Sequence, residues 1–236
     1  MRLWAYGDSH TAGAELGYSE RSLSQFQPGG IYFGKDWNQH LINRGEYTQL
    51  ISGAIACAPE NSWTGQLAEL LGADLICKAI PGWSNDGAVK DMLRDMSHWA
   101  EDDIIFWGVA TPWRFTPAGE NLLKDNHQVS RMPTKAKRVL VEYGPHETSL
   151  TLWTQALMHL AKSLHKNMKM VYMSTPDLII NDYDVVNDLC VIDISLGQFK
   201  KNNGDKYKTL PQSHYDRPCH RDYAEMIYNT LGDKNG

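Results

Sequence analysis

Five short apolar runs constrain this chain most: Leu3–Tyr6, Leu75–Ala79, Ile104–Trp107, Met170–Met173 and Cys190–Ile194. Each is four or five residues long and none alternates strictly with polar residues. Strands of that kind are buried on both faces, as in a parallel sheet covered by helices on each side. Helix-period segments lie between them. Trp63–Leu71 puts Leu67, Leu70 and Leu71 on one side and stops at Gly72, a natural C-cap. Asn85–Ala100 repeats apolar residues at Val89, Met92, Leu93, Met96 and Trp99, and Thr148–His165 at Leu152, Leu157, Leu160, Ala161 and Leu164. A last helix opens near Asp216, with Pro218 in its first turn and Ala224, Ile227, Tyr228 and Leu231 on one face. Strand–helix alternation predicts a doubly wound α/β fold: a three-layer α/β/α sandwich around a five-stranded parallel sheet.

With 236 residues and no repeat or linker, a single domain over residues 1–236 is expected. Residues 14–61 and 110–146 break the alternation, although Tyr47–Cys57 reads as a helix. Connections that long are commonly binding loops or lids. They follow the first and third strands, which places them over the carboxyl edge of the sheet, where ligands bind in such folds.

Charge and composition remove several function classes. A net charge of −5 provides no basic footprint for nucleic acid; the short cluster Lys135, Lys137, Arg138 reads as a solvated loop. No run of 18 apolar residues exists, so no membrane span is expected. The opening MRLWAYGDSH has neither the apolar stretch nor the cleavage site of a signal peptide. Cys57, Cys77, Cys190 and Cys219 are widely spaced without a CxxC pair, which suits reduced thiols and a cytoplasmic setting. Nine scattered histidines without HExxH predict neither a metal nor a cofactor. The sequence carries no signal for an oligomeric state.

The first run passes directly into Gly7-Asp8-Ser9-His10-Thr11-Ala12-Gly13. A serine at a strand end, opening a tight turn, exposes its hydroxyl beside backbone N–H groups able to hold an oxyanion. Gly-Asp-Ser alone arises by chance in roughly one chain of this length in twenty, and an Asp/Ser helix cap is the competing reading. Three further stretches add to it: Ser62-Trp63 through Leu71-Gly72, Ala79-Ile80-Pro81-Gly82-Trp83-Ser84-Asn85, and His214-Tyr215-Asp216-Arg217-Pro218-Cys219-His220 followed by a helix. Together these resemble the conserved blocks of the SGNH (GDSL-like) hydrolases. The Pro-Gly-x-Ser-Asn wording is similar to phage-encoded and bacterial members.

The resemblance implies an esterase or deacetylase, with a carbohydrate O-acyl ester as a substrate class. It assigns Ser9 as nucleophile, the N–H groups of Ser9 and Gly82 as oxyanion donors, and His214 as base, with His220 as the alternative. Asn85 is either a cap of the following helix, a loop-orienting group or an oxyanion donor. Two departures stand out. Pro211 occupies the place of the acid three residues before the base, leaving Asp216 and Asp205 as substitutes. Ala110, in Gly108-Val109-Ala110-Thr111, replaces the block-three oxyanion asparagine, with Thr111 or Asn85 as replacements. Removing one such donor costs about 3 kcal/mol of transition-state stabilisation. Arg114 is either a contact for an anionic substrate group or a loop salt bridge. Trp83 and Trp113 are expected near the same rim, as a sugar or acyl platform or as core. The competing functional class is a weak or inactive SGNH-like binding module, for example a virion-associated phage particle protein.

Overall fold

A computed structural model describes residues 1–14, 16–17, 57–81, 83–111, 114–115, 127–128, 147–173, 189–192, 194–210 and 214–233. Most of the two long connections, the expected helix Tyr47–Cys57 apart from Cys57 itself, and the basic cluster at Lys135 lie outside the described residues.

The strands are β1 (Arg2–Gly7), β2 (Asp74–Cys77), β3 (Ile104–Val109) and β6 (Met168–Tyr172), with a separate two-stranded ribbon of β4 (Arg114–Phe115) and β5 (His127–Gln128). The helices are α1 (Trp63–Leu71), α2 (Asn85–Asp95), α3 (Glu147–Leu164), α4 (Leu196–Asn202) and α5 (Arg217–Asp233). The main sheet is parallel in the order β2-β1-β3-β6. A five-stranded sheet was expected, but among the described residues the fifth run is reduced to one parallel bridge, Met170 to Cys190. The Val191 N–H donates to the Met170 carbonyl at 2.9 Å, so the chain does pass alongside β6.

Alternation along each strand builds two cores, because successive side chains point to opposite faces. Trp4, Tyr6, Ile105, Trp107, Val109, Met168 and Met170 face α2 and α3, meeting Ala88, Val89, Met92, Leu157, Met158 and Ala161. Leu3, Ala5, Phe106 and Val171 face α1, α4 and α5, meeting Trp63, Leu67, Leu196, Tyr223, Ala224 and Ile227. That is the three-layer sandwich. The connection from β1 runs through α1 and the one from β3 through α3, on opposite faces, so the topological switch point lies between β1 and β3.

Local signals set the helix ends. Ser62 caps α1 through Gly65, and Gly72 closes it in the left-handed region at φ 62°. Ser84, not Asn85, caps α2, its hydroxyl accepting the Gly87 N–H at 3.2 Å. α2 stops at Asp95, short of the expected Ala100, and tightens into a 3₁₀ turn at Met96–His98. Its buried face holds Ala88, Val89 and Met92, while Leu93 and Met96 are exposed. On α3 the buried line is Thr154, Leu157, Met158 and Ala161; Leu152 and Leu160 lie outside it. α4, capped by Ser195, is an element that the apolar pattern did not announce.

Candidate active site

β1 and β3 end side by side at the switch point, with Gly7 paired to Gly108. Gly7 has φ 141°, a conformation L side chains avoid, and a Cβ there would lie 2.7 Å from both the Gly108 carbonyl oxygen and Thr11 Oγ1. A Cβ on Gly108 would likewise collide with Thr11 Oγ1. Two glycines therefore leave the hole that Thr11, fully buried, occupies. Thr11 pins the turn Asp8–Gly13 directly onto the sheet edge.

Within that turn Asp8 Oδ1 accepts the His10 N–H at 3.0 Å, and the Asp8 and Ser9 carbonyls accept from Ala12 and Ala14, each at 2.9 Å. Ser9 is buried, with 6% of its surface exposed, where the sequence led us to expect an exposed hydroxyl. The turn is tied to the segment before α1 by a bridge from Ala14 to Cys57 and by the Ala58 N–H, which donates to the Gly13 carbonyl at 3.1 Å.

His214 arrives from the far end of the sequence. Thr209 bridges Tyr215, the Leu210 N–H donates to the His214 carbonyl at 2.7 Å, and the Asp216 N–H donates to the Lys208 carbonyl. This folds the chain back so that His214 and Tyr215 both reach His10. The His10 and His214 rings meet edge-on at 4.9 Å between centroids, and the His10 and Tyr215 rings stack at 5.2 Å. Arg217 adds a third tie, donating to the Leu16 carbonyl at 3.0 Å. Sequence reasoning passed over both His10 and Arg217. For His10 the signal was its position beside Ser9; for Arg217 nothing local pointed to Leu16.

His220, the alternative base, has a structural position. It is fully buried, and its Nδ1 accepts the Trp63 N–H at 3.1 Å, satisfying one of the donors that a helix start leaves open. Burial, with the charges of nearby His10 and His214, pushes its pKa well down, so the ring is held neutral.

The two candidate acids differ in their surroundings. Asp216 accepts the Cys219 N–H on Oδ1 at 3.3 Å and the Lys208 N–H on Oδ2 at 2.9 Å, so it caps α5 and holds the returning loop. Asp205 is exposed in the 3₁₀ turn Gly204–Lys206.

The segment after β2 lies against the end of β1, the Ile80 N–H donating to the Gly7 carbonyl at 3.1 Å. Gly82 and Trp113 lie outside the described residues, as does the side chain of Arg114, whose backbone pairs with Gln128. Asn85 is buried and committed: Nδ2 donates to the Ala110 carbonyl at 3.0 Å, and Oδ1 accepts the Ala110 N–H at 2.9 Å. Its carboxamide fixes the backbone just past β3, where Thr111 follows. Trp83 packs its ring over Gly87 and borders the core on the α2 side.

Cysteine chemistry is disfavoured nearby. Burial pushes the Cys57 thiol up to about 11 and that of Cys219 to about 12. That keeps both as thiols rather than the nucleophilic thiolate.

Two solved structures share this fold. One is an acetyl xylan esterase from the rumen bacterium Butyrivibrio proteoclasticus: TM-score 0.51, 15% identity, covering 100% of this chain and 64% of that one. The other is a family two carbohydrate esterase from Clostridium thermocellum in complex with cellohexaose: TM-score 0.54, 13% identity, covering 100% of this chain and 65% of that one. The α/β/α fold is the one these two esterases have. The chain spans slightly under two thirds of the length of these two proteins. No family model and no curated protein sequence matches it.

Proposed function

We propose that this SGNH-like chain is a serine ester hydrolase acting on O-acylated carbohydrate through an acyl-serine intermediate. The observation that carries the reading is the meeting of the Ser9 turn with His214 at the sheet's switch point, through the ring of His10. The substrate class follows the two similar structures, both carbohydrate esterases by name.

In this reading Ser9 Oγ attacks the ester carbonyl carbon while His214 takes its proton. The N–H groups of Ser9 and Gly82 hold the oxyanion, and the Thr111 hydroxyl is the third donor. Collapse breaks the carbonyl carbon–alkoxy bond, and His214 returns the proton to the departing alkoxide oxygen, which leaves as the sugar hydroxyl. Water then attacks acyl-Ser9 with His214 again as base, releasing the carboxylic acid and regenerating Ser9. Every step is proton transfer and acyl transfer, so the reaction needs no cofactor.

A second reading, an inactive binding module such as a phage particle protein, draws on Ala110 and Pro211. Its specific support is that the Asn85 carboxamide is occupied by the Ala110 backbone and so is spent as an oxyanion donor. Intact-mass labelling with a fluorophosphonate probe separates the two. The esterase reading expects one adduct on the wild type, absent in Ser9→Ala and His214→Ala and retained in His220→Asn. Folded wild type that takes no adduct favours the binding module.

A further inference from the structure

We infer that Arg217 receives an acidic group of the substrate, so that the acylated glycan is one bearing a sugar carboxylate. The inference rests on the esterase reading above and narrows the class of its substrate.

Arg217 opens α5 and is exposed, yet its place is fixed. Its Nη2 donates to the Leu16 carbonyl at 3.0 Å. Leu16 is buried just past the Ser9 turn, its own N–H donating to the Gly13 carbonyl at 3.1 Å. Arg217 also stands three positions after His214. The guanidinium therefore lies at the seam between the segment that carries Ser9 and the one that carries His214. Tyr215 crosses the same seam, stacking on His10 with 24° between the ring planes.

What sets Arg217 apart is the partner it has. Among the arginines whose side chains are described, Arg2, Arg94 and Arg221 each meet an aspartate. Arg217 meets a neutral carbonyl, and among the described residues no carboxylate pairs with it. The adjacent Asp216 is engaged elsewhere, its two oxygens accepting the Lys208 and Cys219 N–H groups. A guanidinium has five N–H donors and a charge it does not lose, so one bond to Leu16 leaves most of its hydrogen-bonding capacity open. Donors in that planar fork match the two oxygens of a carboxylate with two parallel hydrogen bonds. The chain carries a net charge of −5, so a cation without a counter-ion is the local exception that draws an anionic group to this edge. A glycan that presents an acyl group to Ser9 carries its other substituents across the same seam, and a uronate carboxylate is the one this fork fits.

The probes are O-acetylated polygalacturonate and the same polymer with its carboxylates methyl-esterified, and the readout is the ratio of their kcat/KM values for acetate release. Arg217→Gln keeps an amide donor for Leu16 but no charge, and Arg217→Lys keeps the charge without the fork. Lys208→Gln is the control: Lys208 lies opposite Asp216 in the returning segment, on the other face from Tyr215. The wild type should favour the free-acid polymer about tenfold, chiefly through KM, the scale of a hydrogen-bonded charged group. Added salt should shrink that preference. Arg217→Gln should equalise the two polymers, Arg217→Lys should fall between, and Lys208→Gln should match the wild type. A wild type without the preference overturns the inference. So does an Arg217→Gln variant that keeps the ratio, even if slower on both polymers, because that leaves Arg217 only its tie to Leu16. A Lys208→Gln variant that loses the preference as fully as Arg217→Gln also overturns it, by assigning the effect to net charge. A wild type that releases no acetate and takes no fluorophosphonate adduct defeats the esterase reading instead. Calorimetric titration with unacetylated polygalacturonate oligomers then decides the inference. A Kd about tenfold weaker in Arg217→Gln upholds it, and an equal Kd or no binding overturns it.

Discussion

Gly108 shows how much of the site rests on the absence of one carbon atom. Its Cα lies beside Gly7, and the room above both is taken by the Thr11 side chain. Gly108→Ala should destabilise the fold by about 1–3 kcal/mol, as overpacked buried positions do, and urea unfolding measures it. The same variant should slow labelling of Ser9, because Thr11 can yield only by moving the turn. At this scale the sequence was partly legible. Gly7, Ser9 and the pairing of His214 with His220 stand out as text. The split between those histidines does not, since it depends on the Trp63 N–H meeting His220 Nδ1 across 157 positions. His10 was hidden by its neighbours: a residue inside a motif is read as part of the motif, and ring packing leaves no spacing signature.

Among the elements, α2 is the one whose helical period misleads. Its apolar repeat continues to Met96 and Trp99, but the backbone leaves the α-helix at Asp95 and the later residues follow a tighter turn. Apolar spacing records a wish to be buried, not the hydrogen-bond pattern that achieves it. The first residue of the same helix matters more for the site. Asn85 clamps both backbone polar groups of Ala110, so Asn85→Ala strands a buried N–H and a buried carbonyl. It should cost about 1–3 kcal/mol in urea unfolding. α1 and β1, by contrast, were readable almost to the residue. Ser62 and Gly72 are strong helix signals, and a four-residue apolar core marks a central strand unambiguously. Of the fifth run, Cys190–Ile194, the described residues show one parallel bridge to β6, from Cys190 to Met170.

At the scale of the whole molecule, two of the acid-sensitive groups among the described residues lie at opposite edges of the sheet. Near the amino edge Asp103 is buried, accepting from the Arg2 guanidinium, the Trp4 indole and the Ala100 N–H. Burial alone raises its pKa, but these donors outweigh it and hold the carboxyl well below its ordinary 3.8. Its contribution is therefore complete above pH 3.8 and lost as pH falls toward the folded value. Near the carboxyl edge His220 is held neutral, its pKa driven below the ordinary 6.5. The unfolded chain binds that proton more readily, so stability is complete above pH 6.5 and declines by about 1.4 kcal/mol per pH unit below it. Thermal unfolding between pH 7 and 5 should show this slope in the wild type. In His220→Asn, whose carboxamide oxygen replaces Nδ1 as acceptor for Trp63, the slope should flatten. An equal slope in both proteins would remove His220 as its source.

The contact between His10 and His214 has a consequence for the order in which this molecule becomes competent. The Ser9 turn follows the first strand and His214 lies in the last returning loop, and Arg217 reaches Leu16 across 201 positions of chain. Chemistry of the proposed kind is thus reserved for the finished fold. A partly folded chain, however well formed its central strands, holds a serine with nothing to take its proton, and so stays harmless to the esters around it until α5 has docked.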